Sequence, residues 1–243
     1  MNKRRARAYI WQQGGVGMEE AGKRSCQVRQ ETLQNTVYIA DEALLSYEIT
    51  FPYLWGVGSA GERMRWDTRR WARGQEEKIR HNWLPLARRQ YRTLQPVGCF
   101  EALCIGTSYD VMLQGGGLFS FFIDMDCDLR HDGRFCLRTA KTYSLRDGRV
   151  LTLDRLFRRG CSWQRPLLDL LEQQIARQAE GGSAFFPYWQ KRYRSLLDHR
   201  RFYLTDGGIV IFFPEEHIAS RNGGIPSFRL PCEELRHLLA WSF

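Results

Sequence analysis

The chain has 243 residues, 43% of them hydrophobic and 13% aromatic, and a formal net charge of +9. That is enough apolar material for one large domain or two small ones, and too much for a disordered chain. No run approaches the roughly 18 apolar residues of a membrane span, and no apolar stretch follows the basic N-terminal residues to make a secretory signal, so a cytoplasmic location is expected.

The charge is local. Residues 1–35 carry +4, residues 60–94 carry +6, and the remainder is near balance at −1. A nucleic-acid-binding fold would more often carry the charge on its core, so nucleic acid is not the expected partner. The seven cysteines are irregularly spaced without C-x-x-C, which predicts free thiols rather than a disulfide framework.

Residues 1–35 mix Gly, Gln and charge without a period and are read as a flexible basic tail. Short strands are predicted at 37–40 and 45–51, the second ended by Pro52. Residues 62–94 are predicted helical, with Met64, Trp71, Ile79, Trp83, Leu86 and Leu94 on one face and a break at Pro85. The period then becomes 2, giving strands at 99–113, 118–130 and 134–144. In the middle strand Phe119, Phe121, Ile123, Met125, Cys127 and Leu129 face a core. Ser120, Asp124, Asp126 and Asp128 face water. A three-residue loop at 131–133, with Gly133 left-handed, sets Asp126 opposite Arg138, Cys127 opposite Leu137 and Leu129 opposite Phe135.

Beyond residue 150 a helix is predicted from Ser162 to about Ala179, striped by Leu167, Leu170, Leu171 and Ile175 and stopped by Gly181-Gly182. A second helix spans about 187–198. A hairpin at 202–205 and 209–213 turns on Asp206-Gly207-Gly208. A strand at 226–230 and a helix from Pro231 to Leu239 close the chain. Strands and helices are partly segregated, with no βαβ repeat. The expected class is α+β, an antiparallel meander with packed helices in two intimately joined halves, 36–130 and 131–243.

Four constellations could carry chemistry. Gly56-Val57-Gly58-Ser59-Ala60-Gly61 matches the dinucleotide fingerprint. Its flanks predict antiparallel strands, so it is read as a strand-to-helix loop and no cofactor is expected. Asp124, Asp126 and Asp128 form an acidic strip that is read as paired or solvated. Asp124 and Asp126 with His131 would be the site of an unrecognised cell-wall hydrolase, one alternative reading. Cys99, Cys104, Cys127, Cys136 and His131 lack zinc spacing, so no metal is expected. His131 and His217 are read as surface residues. Arg65, Arg69, Arg73 and Arg80 are the candidate partner-binding residues of the basic helix. A second alternative has residues 62–94 grip an anionic polymer or a membrane surface.

Three stretches resemble one bacterial family. They are Phe202-Tyr203-Leu204-Thr205-Asp206-Gly207-Gly208-Ile209-Val210-Ile211-Phe212-Phe213, then Glu216-His217-Ile218-Ala219, then Gly224-Ile225-Pro226-Ser227-Phe228-Arg229-Leu230-Pro231. The family is the domain of unknown function at the C-terminus of the anti-sigma-V factor RsiV and beside the peptidoglycan deacetylase PdaC. Residues 142–157 are similar to an earlier part of it, and residues 47–55, the long helix and 108–122 to its companion N-terminal half. Where the family has a Gly-Gly-Ala-His-Gly loop, this chain reads Arg130-His131-Asp132-Gly133-Arg134. The resemblance implies an α+β module without catalysis, outside the cytoplasm, with a protein or cell-wall ligand. In the anti-sigma relative that ligand is a lysozyme.

Overall fold

The structure is a computed structural model, and it describes residues 12–15, 26–181 and 185–243. The chain is of the mixed α+β class. Six strands hydrogen-bond in chain order, β1 (Gln12–Gly15), β2 (Gln27–Ile39), β3 (Glu42–Trp55), β4 (Leu103–Gly115), β5 (Leu118–Asp128) and β6 (Arg134–Ser144), while β7 (Phe202–Thr205), β8 (Gly208–Phe212) and β9 (Ser227–Pro231) form a second sheet. The helices are α1 (Gly58–Lys78), α2 (Leu84–Leu94), α3 (Gln164–Glu180), α4 (Trp189–Leu196) and α5 (Cys232–Leu235). Two compact units interleave along the chain, one of residues 1–108 and 125–134, the other of 109–124 and 135–243. The sequence reading divided the chain at 130/131 instead.

In the first unit, β2 and β3 form a long hairpin from Gln27↔Trp55 to Ile39↔Glu42. Residues 27–35 are therefore strand, not tail. Residues 1–11 and 16–25 of the expected tail lie outside the described residues. The misreading has a physical origin. Gln27 to Gln34 is polar, yet Glu31, Thr32 and Leu33 are all buried. Pro52 does not end β3. The Thr50 N–H points toward β4 and donates to Thr107 Oγ1 at 2.6 Å. Pro52, two residues on, has the same orientation, beyond the last β3–β4 pair at Glu48↔Gly106, so its missing N–H costs the ladder nothing.

β3 and β4 are parallel, from Leu45↔Leu103 to Glu48↔Gly106, and the helices make the crossover between them. This corrects the expectation that no βαβ connection occurs. The pairing covers only four residues, too few to leave a pattern in the sequence. The glycine-rich loop sits at the strand-to-helix turn. Gly56 and Gly58 hold φ +87° and +58°, and a Cβ on Gly61 would lie 2.6 Å from the Leu54 carbonyl oxygen. Turn geometry and helix–strand packing thus account for the three glycines.

The helix breaks as expected, one turn earlier. Residues Ile79–Trp83 form a π turn, and the Leu84 N–H donates to the Ile79 carbonyl. Pro85 cannot donate to His81, so the widened turn absorbs the lost bond. The buried stripe differs from the expected one. It runs Ala60, Gly61, Met64, Thr68, Ala72 and Glu76, and Trp66 is exposed. Small residues let α1 approach the sheet closely, and the tryptophans take the flanks.

In the second unit, the α3 stripe Leu167, Leu170, Leu171 and Ile175 is buried as expected. It joins Phe202, Leu204, Ile209, Ile211, Phe213, Phe228 and Leu230 in one core. The opposite face of β7–β9 is buried too, with Tyr203, Val210 and Phe212 against Phe122 and Ala140. Ser120 is fully buried, joined to Thr142 Oγ1 and the Leu204 N–H at 2.8 Å each. The face of β5 expected to be wet is therefore dry at Ser120 and Phe122. α5 is shorter than the predicted final helix.

Candidate functional site

Local folding decides which candidate side chains meet. The β5–β6 connection is a three-residue loop as expected, but it sits one residue earlier, at 130–132. The Leu129 N–H donates to the Gly133 carbonyl at 2.9 Å, and Arg130 rather than Gly133 takes the left-handed conformation, at φ +55°. Gly133 sits at φ +93°, ψ −176°, a conformation open only to glycine. Every facing pair moves by two residues. A shift of two preserves the faces, so Cys127 and Leu129 stay buried, but it changes the partners. Leu137, expected in the core, is exposed. Arg138 pairs with Asp124, not Asp126.

That pair is bidentate: Arg138 Nε to Asp124 Oδ1 at 2.7 Å and Nη2 to Oδ2 at 2.6 Å. The guanidinium lies 3.9 Å over the Phe122 ring, and Nη1 reaches Ser227 Oγ at 3.3 Å. Asp128 is held by Arg130 at 3.0 Å, and Asp126 is exposed. The three aspartates of the strip thus fall into different surroundings, Asp124 in the second unit and the other two in the first. His131 Nε2 lies 3.4 Å from the Cys99 carbonyl oxygen, an exposed contact.

The basic helix residues divide likewise. Glu31 is fully buried and binds two of them: Arg65 Nε and Nη2 each lie 2.7 Å from Oε1, and Arg69 reaches Oε2 at 2.5 Å and Oε1 at 2.8 Å. Arg80 approaches Glu76 at 3.7 Å, and Tyr47 donates to the same carboxylate at 2.6 Å. Burial, with that hydrogen bond, pushes the Tyr47 hydroxyl up to about 12. Arg73 is exposed. Of the four arginine candidates, the structure brings Arg65 and Arg69 together, on an internal carboxylate.

None of the seven cysteines is in a disulfide. Burial raises the Cys127 thiol to about 12 and the Cys232 thiol to about 11, so neither is a nucleophile near neutrality. Among the described residues, no group of three or more His, Cys, Asp or Glu is placed to hold a metal, and no helix is long and apolar enough to cross a membrane.

Two features escaped the sequence reading. The first is His217, expected on the surface. Its Nδ1 is buried without a hydrogen-bond partner, as is Oε2 of Glu215, which lies 3.7 Å from Arg221 Nε. Glu216 between them holds φ +61°, a strained conformation for a side chain of its size. Burial, then the nearby Arg201 and Arg192, holds the imidazole below its ordinary value of 6.5. The unfolded chain therefore takes up this proton first. The stability from neutral His217 is present above about pH 6.5 and is lost as pH falls through the folded value. His217→Asn should flatten this limb, giving a smaller fall in Tm than the parent between about pH 7.5 and about pH 5. Equal falls would remove His217 from the account.

The second is a cleft of about 450 Å³ in the second unit, lined by Gly207, Arg229, Cys232, Arg236, Trp241 and Phe243 among others. Its walls are braced from behind. Arg229 Nη2 donates to the Asp206 carbonyl at 2.8 Å, and Trp241 Nε1 to the Arg155 carbonyl at 3.1 Å. Bare residue types gave no signal for it, because its lining is assembled from a turn, a strand end and the last residues.

Residues 154–233 match the family model described as a protein of unknown function, DUF3298. The matched region is about a third of the chain. That region spans α3, α4, β7, β8 and β9, holds Glu215 and His217, and supplies Gly207, Arg229 and Cys232 to the cleft. A crystal structure of a DUF3298 family member from Bacteroides fragilis is similar at TM-score 0.59 and 18% identity, over 89% of this chain and 94% of that one. A DUF3298 family protein from Pseudomonas aeruginosa is similar at TM-score 0.53 and 13% identity, over 86% and 93%. At these identities the likeness is one of fold. No curated protein matches.

Proposed function

We infer that the chain is a non-catalytic binding module that docks a protein partner on the cleft beside the matched region. The observation that carries this reading is the lining of the cleft. Arg229, Arg236, Trp241 and Phe243 surround a concavity of about 450 Å³. Tryptophan and arginine around a pocket are the residue types that dominate binding energy at protein interfaces. They combine large contact area with a planar, charged hydrogen-bonding group.

The resemblance to the lysozyme-sensing region of RsiV supports a lysozyme as the partner. This chain is basic, at +9, and so are common animal lysozymes. Long-range electrostatics oppose the encounter, so affinity must come from short-range fit and survive moderate salt.

Calorimetric titration with a lysozyme, at low and at moderate salt, tests this. The expected result is saturable, salt-tolerant binding that weakens at least about tenfold in Trp241→Ala and in Arg236→Ala. Arg236 is exposed, so its truncation leaves the fold alone. No binding, or binding indifferent to both substitutions, overturns the proposal.

A further inference from the structure

We propose that the first unit carries a second, separate site: a groove across β2, β3 and β4 that binds an uncharged oligosaccharide. The groove encloses about 630 Å³ and is lined by Gln34, Asn35, Thr36, Tyr38, Ser46 and Glu48, with Cys104 and Gly106 on its far side. It arises from the two-residue period of the strands. Leu33 and Ile49 turn one way, into the core, and Gln34 and Glu48 turn the other.

The register then sets two rows across three strands. One is Gln34, Glu48 and Gly106, and the next is Thr36, Ser46 and Cys104. The rows end at Tyr38, which is 61% exposed and follows an irregularity in the register at Val37/Tyr38. The residue skipped there is Leu44 of β3, so the alternation of β2 keeps Tyr38 on the face of Gln34 and Thr36. At the other end, a Cβ on Gly106 would meet nothing within 4 Å, so the floor beside Glu48 is open.

The chemistry of the lining selects the ligand class. Among the described residues that line it, Glu48 is the one acid and none is Lys, Arg or His, in a chain of +9. Arg130 Nη2 reaches Cys104 Sγ at 3.5 Å, but its guanidinium is paired with Asp128 at 3.0 Å, which disfavours a polyanion. An apolar occupant would strip water from amides and hydroxyls and give nothing back. A sugar chain answers both constraints. Its hydroxyls donate and accept, matching Gln34, Thr36 and Ser46 group for group, and a vicinal pair can donate to Glu48. The C–H face of a pyranose ring packs on an exposed tyrosine such as Tyr38.

The test uses the full chain and two probes, cellotetraose and N-acetylated chitotetraose, titrated by calorimetry and by NMR. The second probe tells whether acetamido groups are read. Expected is saturable binding of at least one probe, unchanged by moderate salt. Tyr38→Ala and Gln34→Ala should each weaken it at least about tenfold. Gly106→Val should abolish it, because the valine fills the open floor of the groove. A Cβ there meets nothing within 4 Å, so Gly106→Val is expected to keep the parent's Tm, and thermal unfolding of the variant separates loss of binding from loss of fold. The proposal is overturned if neither probe binds, if Gly106→Val binds like the parent, or if binding vanishes with salt. The groove shares no residue with the C-terminal cleft, so failure here leaves the protein-docking proposal standing.

Discussion

Glu31→Ala is expected to destabilise the protein by about 3 kcal/mol, which for a chain of this size lowers Tm by roughly 6–12 °C. Glu31 is wholly inaccessible, while the Arg65 and Arg69 side chains keep 18% and 35% of their exposure. Removing the carboxylate leaves two guanidiniums facing each other over a buried gap. Their partial exposure to water holds the cost at the lower end of the range for broken buried pairs. Arg69→Ala should cost less, since Arg65 still answers the carboxylate. Glu31→Gln should fall between, because its amide keeps one acceptor but turns a donor toward a guanidinium. Thermal or denaturant unfolding measures all three. A Glu31→Ala change within about 0.5 kcal/mol of the parent would contradict the internal role of these arginines.

Arg138→Ala is expected to cost about 2–4 kcal/mol, and Asp124→Ala a comparable amount, whereas Asp126→Ala should stay within about 0.5 kcal/mol. The Arg138 and Asp124 side chains are 14% and 18% exposed. Truncating the arginine strands a mostly buried carboxylate, removes the stacking on Phe122 and frees Ser227. Arg138→Lys should not rescue it, because an ammonium cannot make the fork of two parallel bonds to a carboxylate. The contrast between Asp124 and Asp126 also decides the register. If Asp126→Ala destabilised and Asp124→Ala did not, the expected loop at 131–133 would be right and the closure at Leu129 and Gly133, one residue earlier, wrong.

Much of the second unit was legible because its signals are local. The spacing of Leu167, Leu170, Leu171 and Ile175 marks a helix face, and Asp206-Gly207 between two apolar runs marks a hairpin. The first unit hid more. β2 is polar where it is buried, since Glu31 is neutralised by arginines some 35 residues away in the chain. α1 buries alanine and threonine where a hydrophobicity argument selects tryptophan. On β5, nothing near Ser120 or Phe122 says that β7 and β8 will cover them. Such coverage is long-range, and a strand's own alternation cannot report it.

The candidate sites were less legible than the fold. The acidic strip and the basic helix were found as patterns of charge, and charge alone does not say where a side chain points. Arg65 and Arg69 turn to Glu31, and Asp124 and Asp128 turn to arginines. The cleft and the groove have no signature in sequence because each gathers residues from three or more segments.

The central claim is that a protein partner docks at the cleft lined by Arg229, Arg236, Trp241 and Phe243. Amide hydrogen exchange with and without a lysozyme tests it most directly. The account predicts slowed exchange in the turn at Gly207-Gly208 and through residues 229–243, with the groove strands β2 and β3 unchanged. Unchanged exchange at 229–243, or protection confined to another surface, would contradict it.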